Sequence, residues 1–448
     1  MNIAVIGGAG YVGLITAVGL AKLGHNVTAV DINHGRIDML RKSISPIHEP
    51  GIEEAIADTL SLGTLTFTSD TEEAVGNSEV VFLAVATPPR HDGSTDLTQL
   101  RSAISAMARA LRPGTVLVVK STLPAGILNL IQGLLNDAGG TTEVDIVINP
   151  EFLSEGNGLN DFFFPSRIVV GTDSINGAKV LREIFEPFVD GGAISTGISM
   201  SRDVPYIETN PVDAQLIKYA SNAFLATRVS FINEVAAICE QVGADIDKVV
   251  EGLGFDPRIG HRYLQAGIGF GGPCLEKDLV ALINFSGLEG HTPQLLKAVL
   301  DRNDEQIRIV IRKISGLLEN QIMGKNIGIL GLAFKPGTND ARSSLSLRMM
   351  TSLLEMGAQV VASDPMAIPE AKILIPSVQY VDDPRDVFQD ADLVLVLTGW
   401  PEYKDLDIAQ ILRDTKKNPA ILDAVNILSR SVIESSGSKY AGIGKPLQ

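Results

Sequence analysis

The segment G269-F-G-G-P-C-L-E-K-D278 sets one of only two cysteines in a 448-residue chain directly after a glycine-rich run, with a lysine and an aspartate within four residues. Glycine loses more conformational freedom on folding than any other residue, so such a run is unfavourable unless something must approach the backbone closely. The thiolate is the reactive form of cysteine, and flanking charge controls its formation. Cys274 is therefore a candidate nucleophile, with Lys277 and Asp278 beside it. The plain alternative is a tight turn that carries a small hydrophobe. Three further segments hold polar groups in apolar surroundings: K120-S-T-L-P-A-G126, N149-P-E-F-L-S-E-G156, and the pair Lys218 and Asn222. Glu151 and Glu155 are four apart and would share one face if the segment were helical, and so would Lys218 and Asn222. Each pair alone also reads as a solvated face.

A cofactor motif changes how these segments read. G8-A-G-Y-V-G13 matches G-x-G-x-x-G after a short apolar strand at the chain start, and Val27 to Val30 form a next strand that ends at Asp31. In that context Gly8 is expected to permit the tight turn, Gly10 to leave room for a pyrophosphate and Gly13 to let the helix pack closely. The helix N-terminus offers amides to phosphates. Asp31 is expected to accept hydrogen bonds from the adenosine ribose, which disfavours a 2′-phosphate and predicts NAD over NADP.

The elements that must position these residues come in two similar sets. N2-I-A-V-I-G-G-A-G-Y-V-G13 is echoed by N326-I-G-I-L-G-L-A-F-K-P-G337, G24-H-N-V-T-A-V-D31 by G357-A-Q-V-V-A-S-D364, and V80-V-F-L-A-V-A-T87 by D392-L-V-L-V-L-T398. Apolar, β-branched runs ending in glycine read as buried parallel strands. The repetition predicts an α/β chain with two Rossmann-like doubly wound domains. The second set has Leu332, Ala333 and Phe334 where glycines would be needed, so it is expected to bind something else. Between the sets, no proline or glycine occurs from Val212 to Val242. Leu216, Tyr219, Ala220, Ala223, Phe224, Thr227 and Phe231 recur with helical spacing. A helix of about thirty residues would be roughly 45 Å long, enough to link two domains and offer a face to another subunit. The expected domains are at about 1–200 (NAD-binding), 201–314 (a small central helical domain with the cysteine loop) and 315–448 (the second Rossmann-like domain).

The composition is globular, 45% hydrophobic and 20% charged, with a net charge of -16. Such acidity argues against nucleic acid as a partner. Two cysteines exclude a disulfide framework, and six scattered histidines give no metal site. No basic leader or long apolar run opens the chain, and none approaches a membrane span; a cytoplasmic protein is expected.

Taken in order, G8-x-G-Y-V-G13, Thr87-Pro88, S121-T-L-P-A-G126, N149-P-E-F-L-S-E-G156, the Lys218 and Asn222 helix, D256-P-R-I-G260, the cysteine loop, and L330-G-L-A-F-K-P-G337 continuing through Thr338 to Arg342 resemble the nucleotide-sugar 6-dehydrogenases, with the UDP-glucose enzymes nearest. The likeness runs from residue 1 to about 430 and implies that 315–448 is the nucleotide-sugar-binding domain. It implies a four-electron oxidation of a primary alcohol at C6 of the sugar to a carboxylate, using two NAD in turn. By this likeness Cys274 captures the aldehyde as a thiohemiacetal, which becomes a thioester and is hydrolysed. Lys218 stabilises the oxyanion with Asn222 assisting; Asp278 and Thr122 handle the water and its proton, with Glu155 near, and Glu151 serves thioester hydrolysis. The same matching assigns Gly8, Gly10, Tyr11, Val12, Gly13, Asp31, Arg36, Thr87, Ser121, Thr122, Glu155, Lys277 and Arg342 to NAD. It assigns Glu151, Phe152, Leu153, Lys218, Asn222, Phe270, Gly271, Phe334 and Lys335 to the nucleotide sugar, together with the loop from Gln265 to Gly271. Arg258 would reach the substrate of a neighbouring subunit, which fits a homodimer through the long helix.

Departures from the family pattern bear on the substrate. Val425 stands in D423-A-V-N426 where an arginine is usual, Asp213 replaces a glutamate, Pro273 a serine, and Leu275 a phenylalanine, the last also resembling the GDP-mannose branch. GDP-mannose, a TDP-sugar or a UDP-N-acetylhexosamine therefore stay open as substrates beside UDP-glucose. Two other classes are a one-step 3-hydroxyacid-type dehydrogenase, which would need neither Cys274 nor a second α/β domain, and a catalytically silent NAD-binding scaffold.

Overall fold

The structure is a computed structural model and describes residues 1–141, 143–189, 200 and 203–446. The domain limit expected between 200 and 201 therefore runs into residues outside those described. By contacts the chain divides into two compact units, Met1–Ser221 and Asn222–Gln448.

The first unit is built on β1 (Asn2–Ile6), β2 (Asn26–Val30), β3 (Leu65–Thr68), β4 (Val80–Leu83), β5 (Val116–Val119), β6 (Asp145–Ile148), β7 (Ile168–Gly171) and β8 (Tyr206–Thr209), in the order β3-β2-β1-β4-β5-β6-β7-β8. All neighbours are parallel except β6 and β7, which meet antiparallel at Ile148 and Gly171. Side chains alternate across a strand. Ile3, Val5, Phe82 and Val118 thus enter one apolar core while Ala4, Ile6, Leu83 and Val119 enter another on the opposite face. Burial on both faces explains why these strands read as unbroken apolar runs. The order reverses direction at β1 and β4, and the loops after β1, β4 and β5 open there, where α/β sheets bind ligands.

The second unit repeats the plan. β9 (Asn326–Leu330), β10 (Gln359–Ser363), β11 (Gln379–Tyr380), β12 (Leu393–Val396), β13 (Ala420–Asp423) and β14 (Tyr440–Gly442) lie in the order β11-β10-β9-β12-β13-β14, all parallel.

The long helix Pro211–Val242 begins in the first unit and ends in the second. Residues 206–209, just ahead of it, form strand β8. Proline at the first helical position lacks an N–H that would be unpaired there in any case. The cap is reciprocal: Asn210 Oδ1 accepts the Asp213 N–H at 2.9 Å, and the Asp213 carboxylate accepts from Thr209 Oγ1 at 2.9 Å and Asn210 Nδ2 at 2.7 Å. The helix stops at Gly243, whose φ of 75° only glycine adopts readily, and the Ala244 N–H returns to Cys239 O at 2.9 Å.

Candidate active site

In the first unit the turn after β1 is closed by glycines. The positive φ of 81° falls on Gly7 and not on Gly8, which corrects the expected division of labour. Gly8 is required for a different reason: a Cβ there would lie 2.8 Å from Ala29 Cβ. A Cβ on Gly13 would lie 2.1 Å from Gly7 O, so the helix Tyr11–Lys22 could not start against the turn with any other residue. Asp31 follows β2 directly, and its carboxylate accepts the Ala9 N–H at 3.2 Å and the Asn33 N–H at 2.9 Å. A turn with no side chain larger than the buried methyl of Ala9, at a helix N-terminus with an acid beside it, fits a dinucleotide. Val12 lies in the first turn of that helix. Arg36 is exposed on the short helix His34–Leu40. The loops after β4 and β5 are tied together, with Thr87 Oγ1 donating to Thr122 O at 3.0 Å and Ser121 Oγ to Val85 O at 2.7 Å.

The segment 151–157 is not helical, so Glu151 and Glu155 do not share a helical face. Glu151 instead accepts the Leu153 N–H at 2.6 Å and meets Lys218 Nζ at 2.8 Å, both side chains being buried. Burial would raise the Glu151 carboxyl, but the Lys218 ammonium and the Leu153 N–H outweigh it and hold it below the usual carboxylate range. Two cations lie over the Phe152 ring, with the Arg167 guanidinium 3.7 Å and Lys218 Nζ 5.5 Å from its centre. Glu155 is half-buried in the turn before Gly156.

Sequence reasoning gave no role to two charged residues here. Lys120, buried, donates to Asn149 Oδ1 at 2.9 Å, and Asn149 Nδ2 donates to Val169 O at 2.8 Å, which pins the strand end that precedes Glu151. Burial pushes the Lys120 ammonium down to about 8, with Glu151 opposing and Lys218 adding to the effect. Glu49, also buried, accepts from the Tyr11 hydroxyl at 2.7 Å and from the Gly156 N–H at 2.9 Å, so it ties the cofactor turn to the loop bearing both glutamates. The available signal was a carboxylate set just before the Pro50-Gly51 turn.

In the second unit Cys274 is exposed at the N-cap of the helix Leu275–Leu288, where the partial positive charge of a helix end favours an anion. Asp278 lies one turn in, buried, and accepts from Asn222 Nδ2 at 2.6 Å and from Lys277 Nζ at 2.5 Å. Lys277, expected at the cofactor, is thus paired with Asp278. Phe270 is buried; Gly271 could bear no side chain, since a Cβ would meet Ser343 O at 2.7 Å. Phe334 packs on Gly272, with Lys335 Nζ 5.6 Å from its ring centre. Arg258 and Arg342 each form ion pairs with an aspartate two residues earlier, Asp256 and Asp340, and both arginine side chains are largely exposed. Neither cysteine is in a disulfide.

The glycine turn and acid of the first sheet define a dinucleotide site, and the second unit carries an exposed thiol beside a buried carboxylate; together these are the parts of a dinucleotide-dependent dehydrogenase. Residues 1–189 match the NAD binding domain of the UDP-glucose/GDP-mannose dehydrogenase family, 212–305 its central domain and 328–430 its UDP binding domain. The chain is 39% identical over 447 residues to the UDP-glucose 6-dehydrogenase TuaD of Bacillus subtilis (strain 168), covering 99% of this chain and 93% of the relative. It is 38% identical to a UDP-glucose 6-dehydrogenase of Rhizobium meliloti (strain 1021), covering the whole of both. Among solved structures, a UDP-glucose dehydrogenase from Pyrobaculum islandicum superposes with a TM-score of 0.89 at 37% identity over 99% of this chain and 97% of the other. The chain belongs to the UDP-glucose/GDP-mannose dehydrogenase family and is an NAD-dependent oxidoreductase.

Proposed function

We propose that the protein oxidises UDP-glucose at C6 to the uronic acid, with two NAD per sugar, through a sulfur-bound intermediate on Cys274. The observation that carries this reading is an exposed cysteine at a helix N-terminus with a buried carboxylate, Asp278, one turn away and held by Asn222 and Lys277. Bound NAD supplies the hydride acceptor for both oxidations. Gly8, Gly10, Gly13 and Asp31 hold it, with Arg36, Thr87, Ser121 and Arg342 assisting, and Asp31 selects against a 2′-phosphate.

The chain's own side chains do the rest. The Cys274 sulfur adds to the aldehyde carbon, forming a C–S bond, and the carbonyl oxygen becomes an oxyanion that the Lys218 ammonium and Asn222 amide stabilise. After the second oxidation the carbon is a thioester. Water, deprotonated by one of the carboxylates Asp278, Glu151 or Glu155 with Thr122 orienting it, attacks that carbon; the C–S bond breaks and the thiolate leaves. Phe152, Leu153, Phe270, Gly271, Phe334 and Lys335 hold the nucleotide sugar.

The protein acts as a homodimer in the cytoplasm. Phe224, Phe231 and Ile238 recur every seven residues on the long helix and are 62%, 54% and 53% exposed, an apolar stripe that suits a second copy of the same helix. Arg258 then serves the partner's substrate.

NADH production with UDP-glucose, GDP-mannose, a TDP-sugar and a UDP-N-acetylhexosamine tests the substrate. UDP-glucose is expected to give the highest kcat/KM, and a preference for another sugar overturns that choice. Cys274→Ser should lower formation of the acid by at least about a thousandfold; unchanged turnover would exclude covalent capture.

A further inference from the structure

The loop 265–273 has no regular secondary structure, so its backbone groups must find partners elsewhere. Side-chain amides supply them. Asn303, on the helix Gln294–Leu317, accepts the Phe270 N–H at 2.8 Å and donates to Phe270 O at 3.0 Å, as a neighbouring strand would. Gln306, one turn on, donates to Gly267 O at 2.6 Å, and Asn233 Oδ1 accepts the Gly267 N–H at 2.8 Å. The backbone is pressed against these amides: Gly269 has φ of 120°, and a Cβ there would lie 2.5 Å from Asn303 Oδ1. Two residues before Cys274 the Gly272 N–H donates to Ser343 O at 3.0 Å.

Asn303 and Gln306 stand in the register of Val299, Ile307, Val310 and Ile314, the buried stripe of their helix, where apolar residues would pack without desolvating an amide. Asn233 Nδ2 and Gln306 Oε1 are buried without hydrogen-bond partners. Amides kept under those conditions are kept for the loop and not for the core.

We propose that Asn303 and Gln306, with Asn233, are positioning residues that hold the backbone of 267–270 in the shape the nucleotide sugar meets and so set the entry of the chain into Cys274. This rests on the reading that the loop contacts that substrate.

The test is steady-state kinetics on the full-length enzyme with Asn303→Leu and Asn303→Ala, at a temperature where circular dichroism shows both folded. Leucine matches asparagine in size and makes neither bond. Both variants are expected to raise the KM for UDP-glucose at least about tenfold, the effect of one or two such bonds, while the KM for NAD moves less than about twofold. A packing role would instead leave Asn303→Leu near wild type and Asn303→Ala impaired, and that pattern overturns the proposal. Gln306→Glu, which removes one donor, carries the same test if Asn303→Leu does not fold. Wild-type turnover of UDP-glucose is the control: with it intact, an unchanged sugar KM in a folded variant overturns the positioning role alone, and its absence overturns both that role and the substrate reading.

Discussion

Glu151 sits between two buried lysines, bonded to Lys218 at 2.8 Å and within the field of Lys120. A buried ion pair adds little net stability against apolar side chains, but removal of one partner leaves an uncompensated charge. Because the Glu151 carboxyl is held low, the pair contributes stability above the ordinary carboxylate range, and that contribution is lost as pH falls through its depressed value. Lys218→Met is therefore expected to lower stability by about 3–5 kcal/mol at neutral pH, with the deficit shrinking from neutral to acid pH as the unpaired Glu151 takes up a proton. Urea midpoints across that range check it, and a deficit independent of pH would contradict it. At this scale legibility was uneven. Cys274, Asp278, Lys218 and Asn222 stood out as reactive types at regular spacing. Asn303 and Gln306 did not, because they alternate with Asp301, Arg302, Asp304 and Glu305 and read as a solvated face.

Elements were legible wherever burial wrote a pattern. Strands covered on both faces are unbroken apolar runs, and both sheets could be read from them. The turn after β1 was read one residue out, since β1 ends at Ile6 and the left-handed position is Gly7. The 151–157 segment was open to a helical reading because spacing alone cannot show that the Glu151 carboxylate bonds its own Leu153 N–H, a local contact that competes with helix. On the long helix, periodicity gave the length but not which face stays uncovered. The uncovered stripe of Phe224, Phe231 and Ile238 makes a specific prediction. Phe231→Asp, a change at an exposed position, should leave helical content intact and reduce the mass seen by light scattering from two chains to one. A variant of unchanged mass would place the interface elsewhere.

Across the whole molecule the two sheets share the order of six strands, the first adding β7 and β8, and the echo extends to their acids. Asp364 follows β10 as Asp31 follows β2, and each accepts N–H groups from the turn after the neighbouring strand, β9 or β1. The difference is in occupancy by the protein itself. Asp364 is buried and also accepts from Trp400 Nε1 at 3.0 Å, Met366 N–H at 2.8 Å and Ala367 N–H at 2.8 Å. Asp31 is half-exposed. One scaffold thus leaves its acid partly open to solvent while the other commits it to the fold, a difference that matches the presence of a dinucleotide fingerprint in the first sheet and its absence from the second. The substrate's base and sugar were not legible, because departures from the family pattern such as Val425 fall in the turns and not in the repeated core. If one polypeptide carries the same carbon through two oxidations while sulfur holds it, two NADH form for every UDP-glucose consumed. Counting NADH against UDP-glucose at completion is the decisive measurement: a ratio of two is expected, and a ratio of one would overturn the two-step reaction.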